Sequence, residues 1–272
     1  MRFTLLFLLS AVLLTAKDDP SPAAKSEAPL NWQPAPGKMY VAERSGDCTI
    51  YAAGKASTPE RASVYNAQGT IIQTEAKSHQ TCVFSNGTGM YVDASTKVEI
   101  TQFDQERFTA ERRDVTKEPS VSHSETFVAH GLACICTNRL LSGTVMHYGT
   151  GLGSVGVNQQ SRLAIQSTAN TTTVYLLGGH CTVAARQAPS VPNIALHPGE
   201  MATINEGDNT VKVEKIPPQT LSAMEDKAGV ACRARSIVLF DEVPTPEGPT
   251  LQAFALVPSS LPPGQVVSPA SQ

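Results

Sequence analysis

Short β-prone segments run through most of this chain, and they limit the folds that it can adopt. Between Val41 and Ile204 these segments are separated at short intervals by Gly, Asn, Pro and Ser, without intervening helical stretches. Parallel strands need long crossovers, usually helices, so the pattern argues against a sheet built from βαβ units. We expect an all-β domain of many short strands, as a sandwich, a barrel or a β-helix-like solenoid.

Two glycine-containing passages mark turns between strands. Asn86-Gly87 lies between two β-prone runs within residues 82–92, and Asn-Gly favours the type I′ turn of a two-residue hairpin. Residues 148–157 form a second tight passage that is rich in glycine. Further strands are expected at residues 49–51, 69–74, 163–166, 171–177, 181–184, 201–204 and 211–213.

Alternation of apolar and polar residues predicts which side chains face the core. Val98 and Ile100 share one face, and Lys97, Glu99 and Thr101 share the other. The same rule predicts that a second group shares one face, with His130 among its members: Thr126, Val128, Leu132 and Cys134.

Four regions follow from composition. Residues 1–16 resemble a signal peptide, because the apolar run after Arg2 is shorter than the roughly 20 residues of a membrane span; an uncleaved N-terminal anchor is the alternative. Residues 17–38 are a Pro/Ala-rich linker, residues 39–216 are the β domain, and residues 217–272 are a short helix with a Pro-rich, mostly irregular tail. A capping box at Ser222 and Glu225 is expected to open that helix.

The charge pattern excludes one class of partner. The formal net charge is −3, and charged residues make up 17% of the chain, so a positive surface for nucleic acid is not expected. Residues 104–118 mix acids with bases, which favours a solvated loop or a short surface helix; a partner site is the alternative. We expect no stable membrane span once the signal peptide is cleaved.

Six cysteines in an exported chain favour disulfides: Cys48, Cys82, Cys134, Cys136, Cys181 and Cys232. Their connectivity stays open, except that Cys134 and Cys136 would lie about 6.6 Å apart on one strand, too far to bridge. A metal site formed by Cys134, Cys136, His180 and Cys181 is the alternative. Its spacing is not that of a zinc site, and adjacent residues of a strand face opposite ways, so we expect no metal.

Catalytic signatures are weak. Residues 151–156 match G-x-G-x-x-G, but a strand pattern follows where a dinucleotide site needs a helix, so we expect no cofactor. The serines near glycines lack a nucleophile elbow, namely Ser85, Ser142 and Ser154. Three aspartates occupy expected turns, namely Asp47, Asp93 and Asp208. The histidines are dispersed: His79, His123, His130, His147, His180 and His197. We therefore expect no catalytic, cofactor-binding or metal-binding residues.

The order of motifs between about residues 40 and 205 resembles the FecR-domain family of bacterial envelope proteins. The segments that carry the resemblance are residues 84–88, 98–103, 118–120, 152–157, 176–183 and 196–200. The resemblance implies an all-β, β-helix-like domain that contacts other envelope components. The best-known members also have a cytoplasmic anti-sigma region and a spanning helix, which we do not expect in this chain. Asn158-Gln159-Gln160 replaces an Arg-Gly-Thr-like step of the family, so the resemblance implies no contact through that step.

The expected function is that of a stand-alone, exported FecR-like scaffold, periplasmic or extracellular, without enzymatic activity. Its partner would be an envelope protein or polysaccharide, and the resemblance implies a link to signalling. Two alternatives remain open. One is a glycan-active envelope enzyme whose carboxylates are brought together by folding, and the other is a structural surface component.

Overall fold

Strand signals in the sequence correspond to β-strands throughout the computed structural model, which describes residues 34–108, 114–186, 193–207, 210–246 and 248–256. The all-β prediction is confirmed; one helix is present among the described residues. The strands are β1 (Pro34–Pro36), β2 (Lys38–Ser45), β3 (Cys48–Ala52), β4 (Lys55–Ser57), β5 (Val64–Asn66), β6 (Ile71–Thr74), β7 (His79–Phe84), β8 (Gly89–Val92), β9 (Thr96–Glu106), β10 (Ser122–Cys136), β11 (Val145–Gly149), β12 (Gly153–Val157), β13 (Arg162–Ser167), β14 (Thr171–Gly178), β15 (Cys181–Ala185), β16 (Ile194–Leu196), β17 (Glu200–Asn205), β18 (Lys212–Lys215), β19 (Val238–Val243) and β20 (Thr250–Ala255). The helix is α1 (Pro218–Ser236).

Strands β1 to β18 form two sheets that enclose a shared core, and β19 and β20 form a separate two-stranded sheet. Sheet A has the order β4-β3-β6-β9-β10-β11-β12-β15-β16, and β1 pairs with the far end of β9. Sheet B has the order β5-β2-β7-β8-β10-β13-β14-β17-β18. Among the described pairings of named strands, only β10 with β11 is parallel.

Strand β10 belongs to both sheets and crosses between them near Gly131. Residues 122–130 pair with β9 in sheet A, and residues 131–136 pair with β8 and β13 in sheet B. A register shift lies between Val128 and His130, and Gly131 has a φ of 90°, a conformation that favours glycine. A Cβ atom on Gly131 would lie only 2.1 Å from Oγ1 of Thr96.

This crossing overturns the prediction of a shared face in β10. Val128 packs in the core between the sheets, whereas Leu132 and Cys134 pack on the outer side of sheet B. The bulge reverses the face of the sheet to which the later side chains of β10 point. The alternation of side chains predicted from the sequence therefore does not continue past the bulge.

The core between the sheets consists of aliphatic side chains from both sheets. The buried residues include Met39, Ile50, Ile72, Val98, Ile100, Ile135, Leu163, Ile165, Leu176 and Ile204. The alternation predicted at Val98 and Ile100 is confirmed, because both are fully buried while Thr101 is exposed.

The hairpin between β7 and β8 has a different turn from the one predicted. Phe84 N–H donates to Thr88 O at 2.8 Å, and Gly87 N–H donates to Phe84 O at 2.8 Å. Asn86 does not have a positive φ, whereas Gly87 has a φ of 81°. The loop is therefore the three-residue type, in which glycine follows a type I turn, and not type I′.

Helix α1 and the β19–β20 hairpin cover the outer side of sheet B. The helix begins at Pro218 after Pro217, without a side-chain cap, so the predicted capping box at Ser222 does not open it. Ala228 and Ala231 pack on sheet B beside Leu132, Tyr175 and other residues of one apolar cluster. The hairpin residues Val238, Phe240 and Leu251 pack on Tyr40 and Val83.

The bounds of the predicted regions differ in detail from the observed ones. The predicted signal peptide lies outside the described residues, and the last part of the predicted linker is in β1 and at the start of β2. In the predicted tail, residues 238–255 form the hairpin, and residues 257–272 are outside the described part of the chain. No helix within the described residues combines the length and the hydropathy that crossing a bilayer requires.

Candidate binding face on sheet A

The outer sides of the two sheets differ in how they are covered. The three described apolar clusters lie between the sheets, under α1, or under the β19–β20 hairpin, and the last two are on the outer side of sheet B. On sheet A the outward positions are half-buried or exposed, and Tyr51 exposes 40% of its surface. Within the described part of the chain, sheet A therefore presents the open face of the sandwich.

A continuous row of residues crosses this open face from strand to strand. The register places them directly opposite one another in the order Tyr51, Ile71, Glu99, Phe127, Gly149 and Ser154. Neighbouring strands lie about 4.8 Å apart, so six adjacent strands give a row of about 24 Å. We call this row, together with the shallow trough beside it, the sheet A face.

A shallow trough of about 290 Å³ lies beside the row. Its lining combines carboxylates, hydroxyls, an imidazole and one aromatic ring, contributed by Glu99, Thr101, Glu125, Thr126, Phe127, His147, Gly149 and Ser154. Such a mixture supplies acceptors, donors and an apolar surface within one concave site.

Gly149 leaves the space in which the ring of Phe127 lies. A Cβ atom on Gly149 would be 3.2 Å from Cδ2 of Phe127, closer than ordinary van der Waals contact. The ring is half-buried and therefore keeps part of its surface open to the trough.

The two carboxylates of the trough come from neighbouring strands. Glu99 lies opposite Phe127, and Glu125 lies opposite His147. Glu99 and Glu125 are thus diagonal neighbours across β9 and β10, with Cα atoms expected about 7–8 Å apart. Strand β10 is held against β9 here by the hydroxyl of Thr101, which donates to Glu125 O at 3.1 Å.

Another carboxylate, that of Glu118, has a structural role and lies away from the trough. Glu118 is fully buried, and its carboxylate accepts hydrogen bonds from Ser122 Oγ at 2.6 Å, Thr144 Oγ1 at 2.6 Å and Leu141 N–H at 2.9 Å. Burial raises the pKa of Glu118, and the three donors oppose that rise. The prediction of a solvated segment at residues 104–118 is therefore wrong at Glu118, and residues 109–113 lie outside the described residues.

The six cysteines form one disulfide and leave four free thiols. Cys136 and Cys232 form a disulfide with an S–S distance of 2.11 Å, which joins β10 to α1. Cys48, Cys82, Cys134 and Cys181 are buried free thiols. Burial raises the pKa of Cys82, Cys134 and Cys181 to about 12.

The structure separates the residues of the alternative metal site. Cys134 packs under α1, Cys136 is in the disulfide, and Cys181 lies in the core between the sheets. Among the described residues, no three His, Cys, Asp or Glu side chains are grouped so that they could hold a metal ion.

The remaining candidates have structural surroundings. Ser85 is buried and donates to Gln105 Oε1 at 2.6 Å, and Asp93 forms an ion pair with Lys227. His79 stacks on Tyr91 with ring centroids 5.4 Å apart. Ser154 alone of the three candidate serines lines the trough, Ser142 is exposed, and Asp208 lies outside the described residues. The G-x-G-x-x-G segment, residues 151–156, begins in the turn after β11 and continues into β12, which is antiparallel to β11.

Only part of the sheet A face is predictable from the sequence. Alternation along β9 correctly predicts that Glu99 and Thr101 point outward, away from the core side to which Val98 points. Phe127 and His147 were not identified as neighbours, because the register between β10 and β11 is not encoded in either strand alone.

The chain matches no protein-family model and no curated protein. Among solved structures, it is similar to two crystal structures of a "putative anti-sigma factor" from Parabacteroides distasonis. Their TM-scores are 0.42 and 0.41, and their sequence identities are 16% and 14%. Each comparison covers 65% of this chain, with 69% and 68% of the other chain. Similarity at this level does not indicate an activity.

Proposed function

We propose that this protein is a non-catalytic, exported scaffold of the FecR type, and that its sheet A face binds a polysaccharide of the cell envelope. The observation that carries the proposal is the asymmetry of the sandwich: sheet B is covered by α1 and the hairpin, whereas the row from Tyr51 to Ser154 is open. A rigid sheet fixes the spacing of its side chains, which favours recognition of an extended, repeating ligand.

The chemistry of the trough favours a polysaccharide over a protein partner. Glu99 and Glu125 can accept hydrogen bonds from sugar hydroxyls, and Ser154 and Thr101 can both donate and accept. The half-buried ring of Phe127 offers an apolar surface for the C–H groups of a sugar ring. Large exposed apolar anchors, which protein interfaces use, are sparse in this trough.

The test is binding of purified cell-envelope polysaccharide to the processed protein, compared with Phe127→Ala and Glu125→Gln. We expect each substitution to weaken binding about fivefold or more, because it removes an apolar contact or an acceptor. Val213→Ala is the matched control, since Val213 is an exposed apolar residue on sheet B. Equal binding by all four proteins, or no binding by the unsubstituted protein, would contradict the proposal.

The diagonal pair of Glu99 and Glu125 favours one alternative, a glycan-active enzyme. Two carboxylates about 5–9.5 Å apart, on either side of a bound sugar, are the arrangement that glycoside hydrolysis uses. Release of reducing ends from the polysaccharide, abolished by Glu99→Gln or by Glu125→Gln, would establish this activity. The non-catalytic proposal predicts binding without release of reducing ends.

A further inference from the structure

The disulfide between Cys136 and Cys232 lies in the wall of an open cavity of about 410 Å³. The cavity is at the junction of α1 with β13 and β14. Its other lining residues are Thr137, Gln160, Ser161, Arg162, Gly178, Gly179 and Arg235. Both sulfur-bearing residues and two arginines therefore share one solvent-connected space.

Access to the disulfide is asymmetric between its two halves. Cys136 is buried, whereas Cys232 is only half-buried. Gly178 and Gly179 form part of the wall without side chains, and a Cβ atom on Gly179 would lie 2.0 Å from the Gln160 carbonyl oxygen. The remaining four cysteines are buried. A thiol entering the cavity would therefore reach Cys232 more readily than any other sulfur.

The cavity also carries positive charge. Arg235 donates from Nε to Gly87 O at 3.0 Å and from Nη2 to Val115 O at 2.8 Å, so two neutral carbonyls fix its guanidinium in place. Arg162 donates from Nη2 to Glu225 Oε1 at 2.9 Å, and its Nε is shielded from water without a hydrogen-bond partner. One carboxylate thus pairs with the guanidinium of Arg162, and neutral carbonyls hold that of Arg235.

Positive charge beside a disulfide favours thiol–disulfide exchange. The attacking species is a thiolate, and the departing sulfur also develops negative charge, so nearby guanidinium groups stabilise both. The same charge draws an anionic thiol into the cavity and opposes a cationic one.

We propose that the Cys136–Cys232 disulfide is an exchange site that reacts in the folded protein with thiolates, and preferentially with anionic thiols. A thiolate bonds to Sγ of Cys232, the Cys136–Cys232 bond breaks, and Cys136 leaves as a thiolate. A second thiolate of the reductant then attacks the mixed disulfide and releases Cys232 as a thiolate. The two thiols of the reductant become one disulfide, and this protein gains two electrons. A dithiol oxidoreductase with an acidic surface is the class of partner that fits.

The first test measures reduction of the native protein by three small thiols of different charge: thioglycolate, 2-mercaptoethanol and cysteamine. Alkylation and mass spectrometry count the thiols formed, and each rate is divided by the rate of the same thiol on an unstructured reference disulfide. We expect two additional alkylated sites, at Cys136 and Cys232. The normalised reduction rate with thioglycolate should exceed that with cysteamine about threefold or more. Equal normalised rates, or reduction only in denaturant, would overturn the proposal.

The second test assigns the charge preference to the cavity. Arg162→Gln should slow reduction by thioglycolate about threefold and reduction by 2-mercaptoethanol less, because the thioglycolate thiolate carries a second negative charge, whereas Glu225→Gln should speed reduction by thioglycolate. Lys55→Gln is the control, because Lys55 is exposed on β4 of sheet A. Circular dichroism confirms that each variant is folded before its rate is measured. A thioglycolate rate that responds equally to Lys55→Gln and Arg162→Gln would also overturn the proposal.

Discussion

Oε2 of Glu118 accepts a hydrogen bond from Oγ1 of Thr144 at 2.6 Å, although this carboxylate is fully buried. The bond joins the segment before β10 to the turn before β11. Ser122 and Leu141 N–H complete the set of donors, so the cluster fixes the start of the strand that crosses between the sheets.

Burial of Glu118 predicts a pH dependence of stability. Its pKa in the folded protein is raised above the ordinary 4.5, so the folded state retains this proton to a higher pH than the unfolded chain does. The free energy of unfolding that this group contributes is therefore fully present below about pH 4.5 and is lost as the pH rises through the raised pKa. Urea unfolding at a series of pH values measures the slope.

Glu118→Gln removes the titration and serves as the comparison. We expect the variant to lack this part of the pH dependence and to be about 1–3 kcal/mol less stable at low pH, because an amide cannot accept from all three donors. Parallel pH profiles for the two proteins would show that Glu118 does not titrate as described.

Gly131 is predicted to be essential to the crossing of β10 between the sheets. Gly131→Ala would place a Cβ atom 2.6 Å from Cα of Thr96, at a φ of 90° that disfavours side chains. We expect a loss of more than about 2 kcal/mol in the free energy of unfolding. Gly151→Ala is the matched control, with no atom within 4 Å of the new Cβ, and should change stability by less than about 0.5 kcal/mol. Equal effects of the two substitutions would contradict the crossing geometry.

The Cys136–Cys232 disulfide is predicted to stabilise the attachment of α1. It closes a loop with a sequence separation of 96, so replacing both cysteines by alanine should cost about 2–4 kcal/mol. Amide hydrogen exchange should accelerate most in α1, which then depends on apolar packing and on the Lys227–Asp93 and Arg162–Glu225 ion pairs. A reductant should destabilise the unsubstituted protein and leave the double variant unchanged. If α1 exchanges equally slowly in both proteins, the bond does not hold the helix.

The sequence predicted the strands better than their arrangement. Val98 and Ile100 were assigned to the core correctly, because residues of a half-buried strand alternate regularly. The same rule failed between Val128 and Leu132, since a bulge and the left-handed Gly131 change the face in the middle of β10. A glycine within an alternating segment was the available signal for that change.

Helix α1 was predicted shorter than it is because its buried face is made of small residues. Met224, Ala228 and Ala231 recur at helical spacing, but alanine gives a weak apolar pattern. Pro218 at the first turn was the better start signal, because proline fits the first helical position. The burial of Glu118 depends on donors that are distant in sequence, so local pattern did not indicate it.

The central claim, that the open face of sheet A is the binding surface, is tested most directly by an amide and methyl NMR footprint. The processed, isotopically labelled protein is titrated with purified envelope polysaccharide. We predict shift changes that cluster at Glu99, Phe127 and His147 and extend along the row toward Tyr51. Changes confined to α1 or to the β19–β20 hairpin, or no changes at saturating polysaccharide, would contradict the claim.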